Sequence, residues 1–173
     1  MTFFGTENNN TPIVSLDIIN QTSPYKVTYY KEREEILYFS TSKGLEYVIT
    51  FVLDKTLDIP NMYQLVIEEL FQTHASYDPL IEKTIVSVIH AFFTDKMNVL
   101  AYVCDTSDKH EKARNYLFNK WFMRHNGNRY YKYDGIVNAM DNIYYSSIIC
   151  SREHNNVLSI KTTFYNFVAE LQK

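Results

Sequence analysis

Glycine is scarce in this chain: four occur in 173 residues, at positions 5, 44, 127 and 135, and no two lie closer than eight positions. A loop that cradles phosphates in main-chain N–H groups needs clustered glycines, because side chains hold the backbone away from the oxygens. A nucleotide P-loop and a dinucleotide fingerprint are therefore excluded. No serine sits in a Gly-x-Ser-x-Gly elbow. Cysteine is rarer still: Cys104 and Cys150 stand in separate apolar runs and are expected as buried free thiols. No histidine has a second His or a Cys at ligand spacing, so no metal site and no cofactor are expected. No run approaches the ~18 apolar residues that span a bilayer. Met1–Gly5 lacks the basic start of a signal peptide. The expected location is the cytoplasm, away from membranes. A dominant charge is also missing. The balance of 17 Lys+Arg against 20 Asp+Glu, net −3, argues against general nucleic-acid binding.

What is present is an ordinary globular composition, 46% hydrophobic and 21% charged, with an excess of 15 tyrosines. Residues 1–24, with the Asn-rich stretch Glu7–Pro12, read as an N-terminal arm or flexible segment, and 25–173 as a single α+β domain. Leu45, Tyr47, Ile49, Phe51 and Leu53 alternate strictly, the clearest strand signal in the chain. Strands are also expected at Tyr25–Lys31, Ile36–Ser40, Val99–Val103, Arg129–Tyr133 and Ile143–Cys150. Met62–Phe71 fits both periods and is assigned to a strand. Asp78-Pro79 opens a helix, with Asp as cap and Pro at the first helical position. A second helix is expected over Asp108–Met123, with Asp108 and Glu111 as a capping pair and Leu117, Phe118, Trp121 and Phe122 as its buried face. Ile160, Phe164, Phe167 and Leu171 mark a third. The expected order is β-β-β-β-α-β-α-β-β-α, a mostly antiparallel sheet with helices packed on it.

Asp105 follows an apolar strand and Asp108 stands where the next helix begins. These are weak candidates for catalytic groups, against the plainer role of satisfying a helix end. Arg114 lies three residues after Glu111, the spacing of an ordinary helical ion pair. Beyond the helix, Arg124 and Arg129 are interleaved with Tyr130 and Tyr131, a mixture that suits a base and its phosphate. Arg114, Arg124, Arg129 and Tyr131 are accordingly the candidate ligand contacts.

Two resemblances bear on the fold. Cys104-Asp105-Thr106-Ser107-Asp108, with Lys112-Ala113-Arg114-Asn115 and Phe118-Asn119-Lys120-Trp121-Phe122, resembles a small family of bacterial proteins of unknown function. The element order resembles the acetyl-CoA-dependent N-acyltransferase superfamily, and Ala113–Phe122 is similar to its Ala-x-x-Leu-Tyr-x-x-x-Gly-Phe region. That superfamily binds the CoA diphosphate on a Gly-rich turn between a strand and the first long helix. Here the junction, Gln72 to Pro79, has no glycine, so coenzyme A is not expected there. Together these features point to a non-enzymatic regulatory protein, in bacterial or phage defence or counter-defence, that binds a small nucleotide-like anion or a protein. The alternative is a divergent N-acyltransferase-like or nucleotide-modifying enzyme. A third reading is a homodimer formed through a tyrosine-bearing sheet edge at Ile143–Ser147.

Overall fold

The computed structural model describes residues 13–71, 78–104, 106, 109–139 and 142–172. The chain forms α1 (Leu16–Thr22), β1 (Thr28–Tyr30), β2 (Arg33–Ser40), β3 (Glu46–Leu53), β4 (Met62–Glu69), α2 (Pro79–Phe92), β5 (Val99–Val103), α3 (Glu111–His125), β6 (Tyr130–Ala139), β7 (Asn142–Ser151) and α4 (Val157–Glu170). From β1 onward this is the order expected from the sequence, with Met62–Glu69 resolved as a strand.

The seven strands form one sheet in the order β1-β2-β3-β4-β5-β7-β6. Every neighbouring pair is antiparallel except β4 and β5, which run parallel because α2 carries the chain back between them. Both faces are covered. On one face α1, α2 and α3 pack over Leu37, Phe39, Ile49, Leu100 and Ile149. On the other, Ile160, Phe164 and Val168 of α4 close over Val137, Ile148 and Cys150. Gly135 in β6 lets α4 approach, since a Cβ there would stand 2.6 Å from Val168 Cγ2.

Three expectations change. Part of the stretch assigned to an N-terminal arm is built into the fold. Ser15 caps α1 by accepting from the Ile18 N–H, Val14 and Ile19 are buried in the main core, and Thr22 donates a hydrogen bond to Ser87 of α2. Residues 1–12 lie outside the described residues. The second expected helix starts at Glu111 with His110 at its cap and no side-chain capping bond, and Asp108 lies outside the described residues. Ile143–Ser147 is a sheet edge only in its first part, because Ser146 and Ser147 are paired with both β5 and β6, whereas the β5 ladder does not reach Ile143–Tyr145, which pair with β6 alone. The two outer strands are β1 and β6.

The β1–β2 hairpin turns through two residues, Lys31 and Glu32, both left-handed at φ 49° and 62°. Such a turn suits the strand twist, but it is usually built with Asn and Gly, which tolerate positive φ.

Candidate functional site: a cleft where two strands part

The even-numbered residues of β4 bond toward β3: the Met62 carbonyl accepts from Asp54 N–H at 2.8 Å, and Leu70 N–H donates to Glu46 O at 2.9 Å. Its odd-numbered residues therefore address β5, as does Asn61, whose carbonyl accepts from Val99 N–H at 2.9 Å. The β3 ladder continues to Tyr47↔Glu69, whereas the β5 ladder stops at Gln64↔Ala101. Beyond that point the two strands separate, and the main chain of Ile67 faces a gap with no strand across it.

The gap opens into a cavity of about 720 Å³, a size suited to a small molecule. Leu65 and Ile67 of β4 form one wall, Ile81 and Ile85 of α2 a second, and Phe118 and Trp121 of α3 a third. Tyr102 and Cys104 close the β5 side. Trp121, expected in the core, is only half-buried on this wall.

Polar groups punctuate the lining. Glu82 has 3% of its side chain exposed. Arg124 Nη1 donates to both its oxygens at 2.6 and 2.8 Å, and His125 Nε2 lies 2.7 Å from Oε1. The last turn of α3 thereby neutralises a carboxylate on α2 that would otherwise be costly to bury. Next to it, burial holds His90 well below the usual imidazole range, at about 4, with the Arg129 guanidinium adding to the effect. The ring is neutral at pH 7, and its Nε2 can accept from Arg129 Nη2 at 3.2 Å.

At the α2 N-terminus, Asp78 accepts from Leu80 N–H at 2.9 Å and from the Tyr25 hydroxyl at 2.6 Å. The Tyr25 bond, above all, keeps this carboxyl below its ordinary range. The anion-attracting end of α2 is thus already occupied by the chain's own carboxylate. Tyr47 donates to Glu69 at 3.1 Å, and burial, reinforced by that carboxylate, pushes its hydroxyl up to about 12. Burial also raises the Tyr102 hydroxyl and the Cys104 thiol, so both are protonated at neutral pH. Beneath α3, Lys132 has only 4% of its side chain exposed. It donates to Asn119 Oδ1 at 2.5 Å and pairs with Asp134.

Of the four residues expected to touch a ligand, Arg114 lines the cavity. Arg124 is engaged with Glu82, and Arg129 stands behind His90. Tyr131 faces the opposite side of the sheet, stacked on Tyr133 at 6.3 Å with Arg152 4.4 Å above its ring. The four do not converge. Asp105 and Asp108 lie outside the described residues. Sequence reasoning passed over Glu82, His90 and His125, although a carboxylate beside the apolar stripe Ile81–Ile85–Val88 was a signal of a buried partner. Among the described residues no group of three or more His, Cys, Asp or Glu could hold a metal ion, and no helix is long and apolar enough to cross a membrane.

The fold and cleft define an α+β protein with a cavity at the end of a lone parallel strand pair. Residues 77–166 match a family of unknown function, DUF6169, and the chain belongs to that family. The matched segment runs from the residue before the α2 cap into α4 and supplies the α2, β5 and α3 walls of the cleft. No curated protein matches the chain.

Proposed function

We propose that this protein is a non-enzymatic, small-molecule-binding regulatory protein whose ligand enters the cleft between β4 and β5. The observation that carries this reading is the parting of the two strands after Gln64↔Ala101, which leaves main-chain groups of β4 facing an apolar cavity. An elongated molecule bearing amide or similar groups can hydrogen-bond along β4, as an added strand does. Its apolar body meets Ile85, Phe118 and Trp121, and an anionic group on it meets Arg114. The nearby thiol and phenol, Cys104 and Tyr102, are held protonated by burial, which favours binding over covalent chemistry.

A divergent N-acyltransferase is the second reading. It is favoured by the element order together with the single parallel pair, β4 with β5. The Asp78 carboxylate at the α2 N-terminus weighs against a diphosphate in that position.

Thermal-shift and calorimetric titrations with coenzyme A, acetyl-coenzyme A, nucleotides and cyclic dinucleotides test both readings. At least one compound is expected to bind. Ile67→Pro removes an N–H that faces the gap and spares the β3 ladder, and is expected to weaken that binding about tenfold, the worth of one lost hydrogen bond. Silence across the panel, with no small molecule co-purifying, overturns the binding reading. Turnover of acetyl-coenzyme A seen by mass spectrometry replaces it with the enzymatic one.

A further inference from the structure

We propose that the face of the sheet opposite the cleft carries a second site, a row of tyrosines and cations along the outer strand β6 that takes two or three nucleotides of a single-stranded nucleic acid. It is independent of the cleft and of what binds there.

The row follows from strand alternation. Tyr131 and Tyr133 are two apart on β6, so both side chains leave the sheet on the α4 side, where they pack against the cluster of Val137, Ile148 and Cys150. Their rings are nearly parallel, 14° apart with centroids at 6.3 Å. Tyr165 of α4 continues the row, 6.1 Å from Tyr133. Tyr131 and Tyr133 are half-buried and Tyr165 is exposed. β6 is the last strand of the sheet, so no further strand lies beside the row.

Two cations stand over these rings. The Arg152 guanidinium, just past β7, lies 4.4 Å from the Tyr131 centroid, and Lys161 Nζ, one turn into α4, lies 5.8 Å from that of Tyr133. Other cations of the chain lean on carboxylates: Arg33 on Glu35, Lys96 on Glu153, Arg124 on Glu82 and Lys132 on Asp134. Among the described residues no carboxylate pairs with Arg152 or Lys161. Even Glu153, next to Arg152 in the chain, turns to Lys96 instead. The hydroxyls divide in the same way. Those of Tyr25, Tyr38 and Tyr47 donate to Asp78, Glu46 and Glu69, whereas those of Tyr131, Tyr133 and Tyr165 make no hydrogen bond to the described residues.

This chemistry selects the ligand. Rings in a row offer their faces to successive bases whatever the sequence, and cations beside them meet the intervening phosphates. A duplex keeps its bases stacked on one another and out of reach of such rings. The net charge is −3 and the row brings two cations, so the contact is short and local rather than a long basic track. Tyr131 was expected to share a ligand with Arg124 and Arg129. The cations that meet it and its neighbour are Arg152 and Lys161, on the other face of the sheet.

Fluorescence anisotropy of a fluorescein-labelled hexathymidylate titrated with the full chain tests the site. Two neutralised phosphates give a slope of log affinity on log salt of about −1.4, so affinity should fall about sevenfold between about 50 mM and about 200 mM salt. Arg152→Gln, at an exposed residue, should halve that slope. Tyr131→Leu keeps an apolar side chain against the core, and should weaken binding at least about fivefold with the slope unchanged. No anisotropy change at about 50 mM salt overturns the proposal. So does an affinity indifferent to Arg152→Gln and Lys161→Gln, or thymidine monophosphate binding as tightly as the strand. None of these readouts passes through the cleft, so the two sites stand or fall separately.

Discussion

Lowering the pH should destabilise this protein through one ring on the cleft wall. His90 is neutral in the folded chain because burial, aided by Arg129, holds it at about 4, whereas an unfolded imidazole titrates near 6.5. Below pH 6.5 the unfolded chain takes up a proton that the folded ring refuses. Stability is therefore full above 6.5, falls as the pH drops toward 4, and is flat below that. At roughly 1.4 kcal/mol per pH unit the displacement caps the loss near 3 kcal/mol, and the partial exposure of the ring trims it to about 1–2 kcal/mol. His90→Gln removes the titration and keeps an acceptor for Arg129. Urea unfolding at pH 7, 5.5 and 4.5 should show the wild type losing that amount relative to the variant. Carboxylates with lowered ranges, Asp78 and Glu35, titrate in both proteins and cancel in the comparison. Parallel stability curves for the two proteins would refute the reasoning.

Gly135→Ala should cost about 1–3 kcal/mol by denaturant unfolding, because the new Cβ meets Val168 and Phe164 of α4 and a packed helix must move; a neutral result would show that α4 yields freely. Glu32→Gly should stabilise the fold by about 1 kcal/mol, seen as a raised melting temperature, since it relieves a left-handed residue in the β1–β2 turn.

The strands and long helices were legible because their signals are local. The alternation of Leu45 to Leu53 marks a strand covered on one face, and Asp78-Pro79 is a helix start written in adjacent residues. Helix α1 was not legible: seven residues are too few for a periodic stripe, and its burial comes from α2, more than sixty residues away. The cleft escaped for the same reason. It exists because the ladder of β4 with β5 ends at Gln64 while its ladder with β3 runs on to Glu69, a property of pairing between distant segments that neither strand records. Arg114 lines the cavity although its spacing from Glu111 reads as an ordinary helical ion pair. Glu82, His90 and His125 matter because α2 and α3 bring them together, and Tyr131 was misplaced because alternation within β6 turned it to the other face.

The short parallel ladder has an architectural consequence. It alone joins two antiparallel blocks of hydrogen-bonded sheet, β1 to β4 and β5 to β7, and only three residue pairs form the stitch. The family segment begins at residue 77, on the far side of that seam. A chain severed between β4 and α2 would yield two fragments, each with an intact ladder of its own, and their reassembly would report whatever becomes wedged along the join.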